Sequence, residues 1–125
     1  MHMHFSLMNT QNRNVFDDGS INGSETLRAA VGGVQNYANE LMLINAPTRN
    51  SYRRFGEGAG APTVANWGHE DRRVAIRIPD SPNADRRIEH RIACADANPY
   101  LVVAGVLASA LEGILQNIAP TTSDE

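Results

Sequence analysis

The sequence predicts an α+β fold in which antiparallel strands pack against two long helices. Three short segments alternate apolar and polar residues with the period of two that a half-buried strand requires. Two longer segments repeat apolar residues at helical spacing. With 125 residues, 42% hydrophobic and 20% charged, the chain is long enough for one core and has the composition of a globular domain.

The first strand spans Met1 to Leu7, with Met1, Met3, Phe5 and Leu7 on one face and His2, His4 and Ser6 on the other. Asn9 to Gly23 is a loop rich in Asn, Asp, Gly and Ser, with Val15 and Phe16 as its anchor. Ser24 caps a helix carried by Leu27, Val31, Val34, Ala38 and Leu41 to about Asn45, with Pro47 beyond its end. Gly32 and Gly33 weaken it locally and permit close packing. Thr48 to Asp71 reads as a long connection, of a length that is usually functional. Val74 to Ile78 forms a second strand, with Ala75 and Arg77 opposed to its apolar face. Arg87 to Ile92 forms a third, placing Arg87, Glu89 and Arg91 on one face and Ile88, His90 and Ile92 on the other. Asn98 and Pro99 open the last helix as cap and first helical residue. It runs to about Ile118, is apolar nearly all round, and is expected to be largely buried. The polar tail from Pro120 is expected to fray.

Charge narrows the function. A net charge of −3 argues against a general nucleic-acid binder. Every basic residue is arginine, and nine of the eleven lie between Arg49 and Arg91, against six acids in that stretch. Arginine presents a planar fork that matches carboxylate and phosphate oxygens two at a time. The single cysteine, Cys94, cannot form an internal disulfide. No secretion signal opens the chain, and the apolar run Leu101 to Leu111 is too short to span a bilayer. A cytoplasmic protein without a membrane anchor is the expectation.

Each strand carries His, Glu or Arg on one face. His2 or His4 with Glu89 would offer nitrogen and oxygen ligands to Mg²⁺, Mn²⁺ or Zn²⁺. Arg77, Arg87 and Arg91 around one acid repel one another unless an anion joins them, and polyphosphate is the natural candidate. An ordinary solvated strand face is the plainer alternative for any one of these segments.

Five ordered motifs carry a family resemblance. They are Met1-His2-Met3-His4-Phe5-Ser6-Leu7, Asn50-Ser51-Tyr52-Arg53-Arg54, the run Arg72 to Pro79 ending in Arg77-Ile78-Pro79, Arg86-Arg87-Ile88-Glu89-His90-Arg91, and Ala97-Asn98-Pro99-Tyr100-Leu101. In order and spacing they resemble the C-terminal portion of the glutamine synthetase catalytic domain, whose N-terminal domain and first catalytic strands would precede residue 1. The resemblance implies that His2 and Glu89 ligate a metal, Mg²⁺ or Mn²⁺, beside the ATP phosphates. His4, Ser6 and Arg87 would line the ATP site. Arg72 and Arg77 would be the catalytic contacts to ATP's transferring phosphoryl group, and Arg54 and Arg91 would grip glutamate. The implied reaction phosphorylates the glutamate side chain with ATP, then lets an amine displace phosphate. It further implies a homo-oligomeric ring with sites between subunits, so that the 125-residue chain alone is inactive and binds metal weakly.

One departure bears on the acceptor. Ammonia-using members carry a loop glutamate before Ala-Pro, and Gly60 stands in that place before Ala61-Pro62, with Glu57 three residues earlier. This wording is more like the γ-glutamylpolyamine synthetase branch, whose acceptor is a primary amine. An ammonia-using enzyme and a non-catalytic structural relative are the alternatives.

Overall fold

The computed structural model describes residues 1–56 and 58–124. Its centre is a four-stranded sheet of β1 (Met3–Phe5), β2 (Trp67–His69), β3 (Ile76–Ile78) and β4 (Ile88–His90), in the order β1-β4-β3-β2. β4 pairs antiparallel with both β1 and β3, which sets His4 opposite Glu89 and Arg77 opposite Glu89. β2 pairs parallel with β3, bringing Gly68 opposite Arg77.

β2 departs from the expectation of a loop and from an all-antiparallel sheet. Trp67-Gly68-His69 has too few residues to show alternation, and besides β3 it is held by the distant end of the chain. Asp124 donates its backbone N–H to the Trp67 carbonyl at 2.8 Å, and a Cβ on Gly68 would come within 2.1 Å of the Asp124 carbonyl oxygen. The tail is therefore pinned where fraying was expected. Trp67 Nε1 donates to the Thr121 carbonyl at 2.7 Å, and Gln35 exchanges two hydrogen bonds with Thr121.

One face of the sheet packs on α1 (Glu25–Asn36) and α3 (Pro99–Gln116), uniting Phe5, Ile76, Ile78, Ile88, Leu27, Val31, Val102 and Val106 in one core. Ser24 caps α1 by accepting from Leu27 N. The predicted helix to Asn45 is interrupted: α1 ends at Asn36, a turn follows, and a short α2 (Met42–Asn45) completes it. Asn36 and Asn39, residues of low helix propensity, lie at the break. α1 and α3 meet at glycine. A Cβ on Gly33 would lie 2.1 Å from the Ser109 carbonyl oxygen, and one on Gly113 would lie 2.2 Å from that of Ala29.

α3 is not largely buried as its composition predicts. Val102, Val106, Ser109, Ala110 and Gly113 face α1 and the sheet. Tyr100, Leu101, Leu111 and Leu115 are exposed, Leu115 by 68%. A helix apolar on all sides needs two partners, and α1 covers one side. By length and composition the full helix could cross a membrane, although its Val102-Val106-Ala110 side is sealed into the core.

The long connection after Thr48 is also ordered in part. Arg49–Phe55 forms a 3-10 helix with a capping box between Thr48 and Ser51. Asp96 accepts hydrogen bonds from both hydroxyls, fastening this turn to the segment that follows β4.

Candidate active site

The sheet face opposite the helices collects the charged residues. Alternation along β1 and β4 turns His4 and Glu89 to this side, and register places Arg77 beside them. Glu89 is the centre. Its side chain is 3% exposed, and Arg77 Nε donates to its Oε2 at 2.5 Å. Arg91 Nη1 donates to Oε1 at 3.1 Å, while His2 Nδ1 and His4 Nε2 approach the same oxygen at 3.1 and 3.5 Å. Burial alone would raise the Glu89 carboxyl. The Arg77 hydrogen bond and the charges of Arg77, Arg91 and His4 outweigh it and hold the group below the usual carboxylate range.

The histidines are differently placed. His2 is held below the ordinary histidine value by burial and by the Arg91 charge, against the pull of Glu89. Arg87 Nε donates to His4 Nδ1 at 3.3 Å, so a neutral His4 carries its proton on Nε2, toward Glu89. His90 points to the core side, fully buried, with no partner for Nδ1, and burial lowers it to about 4 with help from the Arg54 and His2 charges.

Two predicted site residues lie apart from this cluster. Arg54 turns its fork onto main chain, donating to the carbonyls of Ile92 at 2.5 Å and Arg91 at 2.6 Å, and its guanidinium lies over the Phe55 ring. The Arg72 side chain is exposed, and its contact with the cluster is its carbonyl, which accepts from Arg91 Nη2 at 2.7 Å. Ser6 and Arg87 line an open cleft of about 430 Å³ at the end of β1 with His4 and Asp85.

A residue the sequence reading passed over also reaches the cluster. Glu70 adopts a left-handed backbone with φ of 57°, unusual for a residue with a Cβ. Its Oε1 lies 3.6 Å from Arg77 Nη1 and accepts from Asp80 N. An acid so close to two predicted phosphate-binding arginines was a usable signal, although the turn that aims it leaves no mark in composition.

The donor set constrains any metal. His2 Nδ1, His4 Nε2 and Glu89 Oε1 offer part of a coordination shell, and no group of three or more such side chains forms a full site among the described residues. Glu89 carries one negative charge between two guanidinium groups. With Glu70 also on Arg77, two acids offset the two guanidinium groups, so a divalent cation added there brings uncompensated positive charge and the site fits one that arrives with an anion such as a polyphosphate.

Comparison with known proteins agrees with the five motifs. The family described as "Glutamine synthetase, catalytic domain" matches residues 1–125. The chain belongs to the glutamine synthetase catalytic-domain family. It is 43% identical over 114 residues to γ-glutamylputrescine synthetase of Escherichia coli, covering 91% of this chain and 24% of that protein. It is 38% identical to a glutamine synthetase of Thermococcus kodakarensis, covering 96% of this chain and 27% of that protein. To γ-glutamylethanolamide synthetase of Streptomyces coelicolor it is also 38% identical, over 94% of this chain and 25% of that protein. A solved ligand-free structure of GmaS superposes with a TM-score of 0.84 at 33% identity, covering 99% of this chain and 28% of that one. The chain thus spans about a quarter of the length of the glutamine synthetase relatives it matches.

Proposed function

We propose that the protein of which this chain forms part ligates an amine to the γ-carboxylate of glutamate at the expense of ATP. The chain would be the C-terminal portion of the catalytic domain. The observation that carries the reading is the buried Glu89 carboxylate, held between Arg77 and Arg91 with His2 and His4 on one of its oxygens. Those two guanidinium groups are fixed in position on that face, and preorganised positive charge of this kind stabilises a transferring phosphoryl group.

In the proposed reaction a glutamate γ-carboxylate oxygen bonds to the terminal phosphorus of ATP, and ADP leaves. The amine nitrogen then bonds to the activated carbonyl carbon, phosphate leaves, and the nitrogen gives up a proton. Arg77, with Arg72, would contact the phosphoryl oxygens, and His4, Ser6 and Arg87 would hold the nucleotide. Arg91, with Arg54, would orient glutamate. For Arg54 this requires its fork to leave the two carbonyls it now holds, and for Arg72 a side chain that turns inward. His2 and Glu89 would hold Mg²⁺ or Mn²⁺, which when bound neutralises phosphate charge.

A primary amine, such as a polyamine, is the acceptor we favour. Gly60 supplies no carboxylate where ammonia-using members have one, and Glu57 lies outside the described residues. The 43% identity to γ-glutamylputrescine synthetase supports the same side. The enzyme would be cytoplasmic and assemble as a ring, and the isolated 125 residues would be inactive because the remaining metal ligands are elsewhere. Phosphate release by the intact protein with ATP, glutamate and Mg²⁺ tests this. Turnover is expected with diamines and not with ammonia. Preference for ammonia would make it a glutamine synthetase, and no turnover with any amine would favour a structural relative.

A further inference from the structure

We infer that Asn14 is a positioning residue that sets the width of the cleft between Ser6 and Arg87. The inference rests on the nucleotide role proposed above for that cleft. The β1–β4 ladder ends at the pair Phe5 and Ile88. Beyond it the chain on one side runs through Ser6 to Met8, the chain on the other side runs back through Arg87 to Ala84, and the cleft opens between them. Asn14 joins the two. Its backbone bridges Met8, closing a hairpin in which Val15 N also donates to the Leu7 carbonyl at 2.8 Å. From that hairpin its Nδ2 donates to the Arg86 carbonyl at 2.7 Å and the Ala84 carbonyl at 3.1 Å, while its Oδ1 accepts from Phe16 N at 3.0 Å.

Asn14 is 9% exposed, and both its amide hydrogens are used. A carboxamide is the group this place requires, because it must donate twice in one direction and accept once in the other. The two carbonyls it grips flank Asp85, and that of Arg86 immediately precedes Arg87, so the rivet fixes where the Arg87 backbone begins relative to Ser6. Aspartate would keep the acceptor for Phe16 and set an anionic oxygen against two carbonyl oxygens. That change pushes the walls apart without altering any residue that lines the cleft.

The test is steady-state kinetics of the intact protein carrying Asn14→Asp or Asn14→Ser, with thermal unfolding in parallel. The expected result is a KM for ATP raised about tenfold, with KM for glutamate and kcat each changed less than about threefold and unfolding still cooperative. An unchanged KM for ATP in a cooperatively folded variant overturns the inference. So does an equal rise in both KM values, which marks a general loosening. Loss of cooperative folding in both variants overturns it too, since Asn14 would then be a support of the fold. Wild-type protein that shows no saturation with ATP strikes the nucleotide reading itself, and the positioning role falls with it.

Discussion

Arg77 and Arg91 stand on or beside strands, whereas Arg54 and Arg72 stand on the connections between them, and the two pairs behave differently. Arg77 meets Glu89 because the antiparallel register sets the two opposite, and Arg91 meets it because it follows two residues later on the same face. The connection-borne pair takes what its local backbone offers. Arg54 lies on two carbonyls, and Arg72 points to solvent. A ladder carries a functional geometry by itself, while a loop arginine needs its ligand or the rest of the protein to aim it.

The sharpest way to break that contrast is Glu89→Ala. It leaves Arg77 and Arg91, both about 10% exposed, without their shared carboxylate. Removing one partner of a buried ion pair costs about 3–5 kcal/mol, and the denaturant midpoint should fall accordingly. Retention of full stability would mean that the register, not the charge, holds the arginines in place.

Acid comes next. His90 has its folded value lowered from 6.5 to about 4, so the fold favours the neutral ring. Its contribution is fully present above pH 6.5 and is lost as pH falls toward 4, a change on the order of 2–3 kcal/mol. Glu89, held below the usual carboxylate range, adds a loss in the same direction at still lower pH. Stability of the metal-free protein should therefore decline across that window, and His90→Leu should flatten the decline. A slope unchanged by the substitution would assign it to other groups.

Arg54→Ala should cost less, about 1–3 kcal/mol, by leaving the Arg91 and Ile92 carbonyls without their charged donor. Arg54→Lys should recover only part of this, because an ammonium cannot reproduce the two-pronged contact. Thermal unfolding of the two variants side by side measures the difference.

How much of this was legible in the sequence follows the same division. His2, His4, Arg77, Glu89 and Arg91 could be assigned to one face from period-two alternation and ordered motifs, because both signals are local. The α+β class could be read for the same reason. β2 could not, since three residues show no period and Trp67 is fixed by Ile76 on one side and Asp124 on the other. The direction of Arg54 depends on carbonyls 37 and 38 residues away. The bare side of α3 was also hidden: hydropathy reports that a helix wants cover, not whether the chain supplies it.

Arg72→Ala is the mildest change and tests the contrast from its other end. Its side chain is exposed, and the contact with Arg91 is made by the carbonyl that alanine keeps. Stability should move by no more than about 0.5 kcal/mol. If Arg72 contacts the phosphoryl group in the assembled site, the same substitution should lower kcat of the intact protein by about a hundredfold or more, with the fold untouched. A large loss of activity without loss of stability is the signature of a residue aimed by its ligand. Loss of both would place Arg72 among the structural supports, and loss of neither would leave phosphoryl transfer to Arg77 and the residues around Glu89.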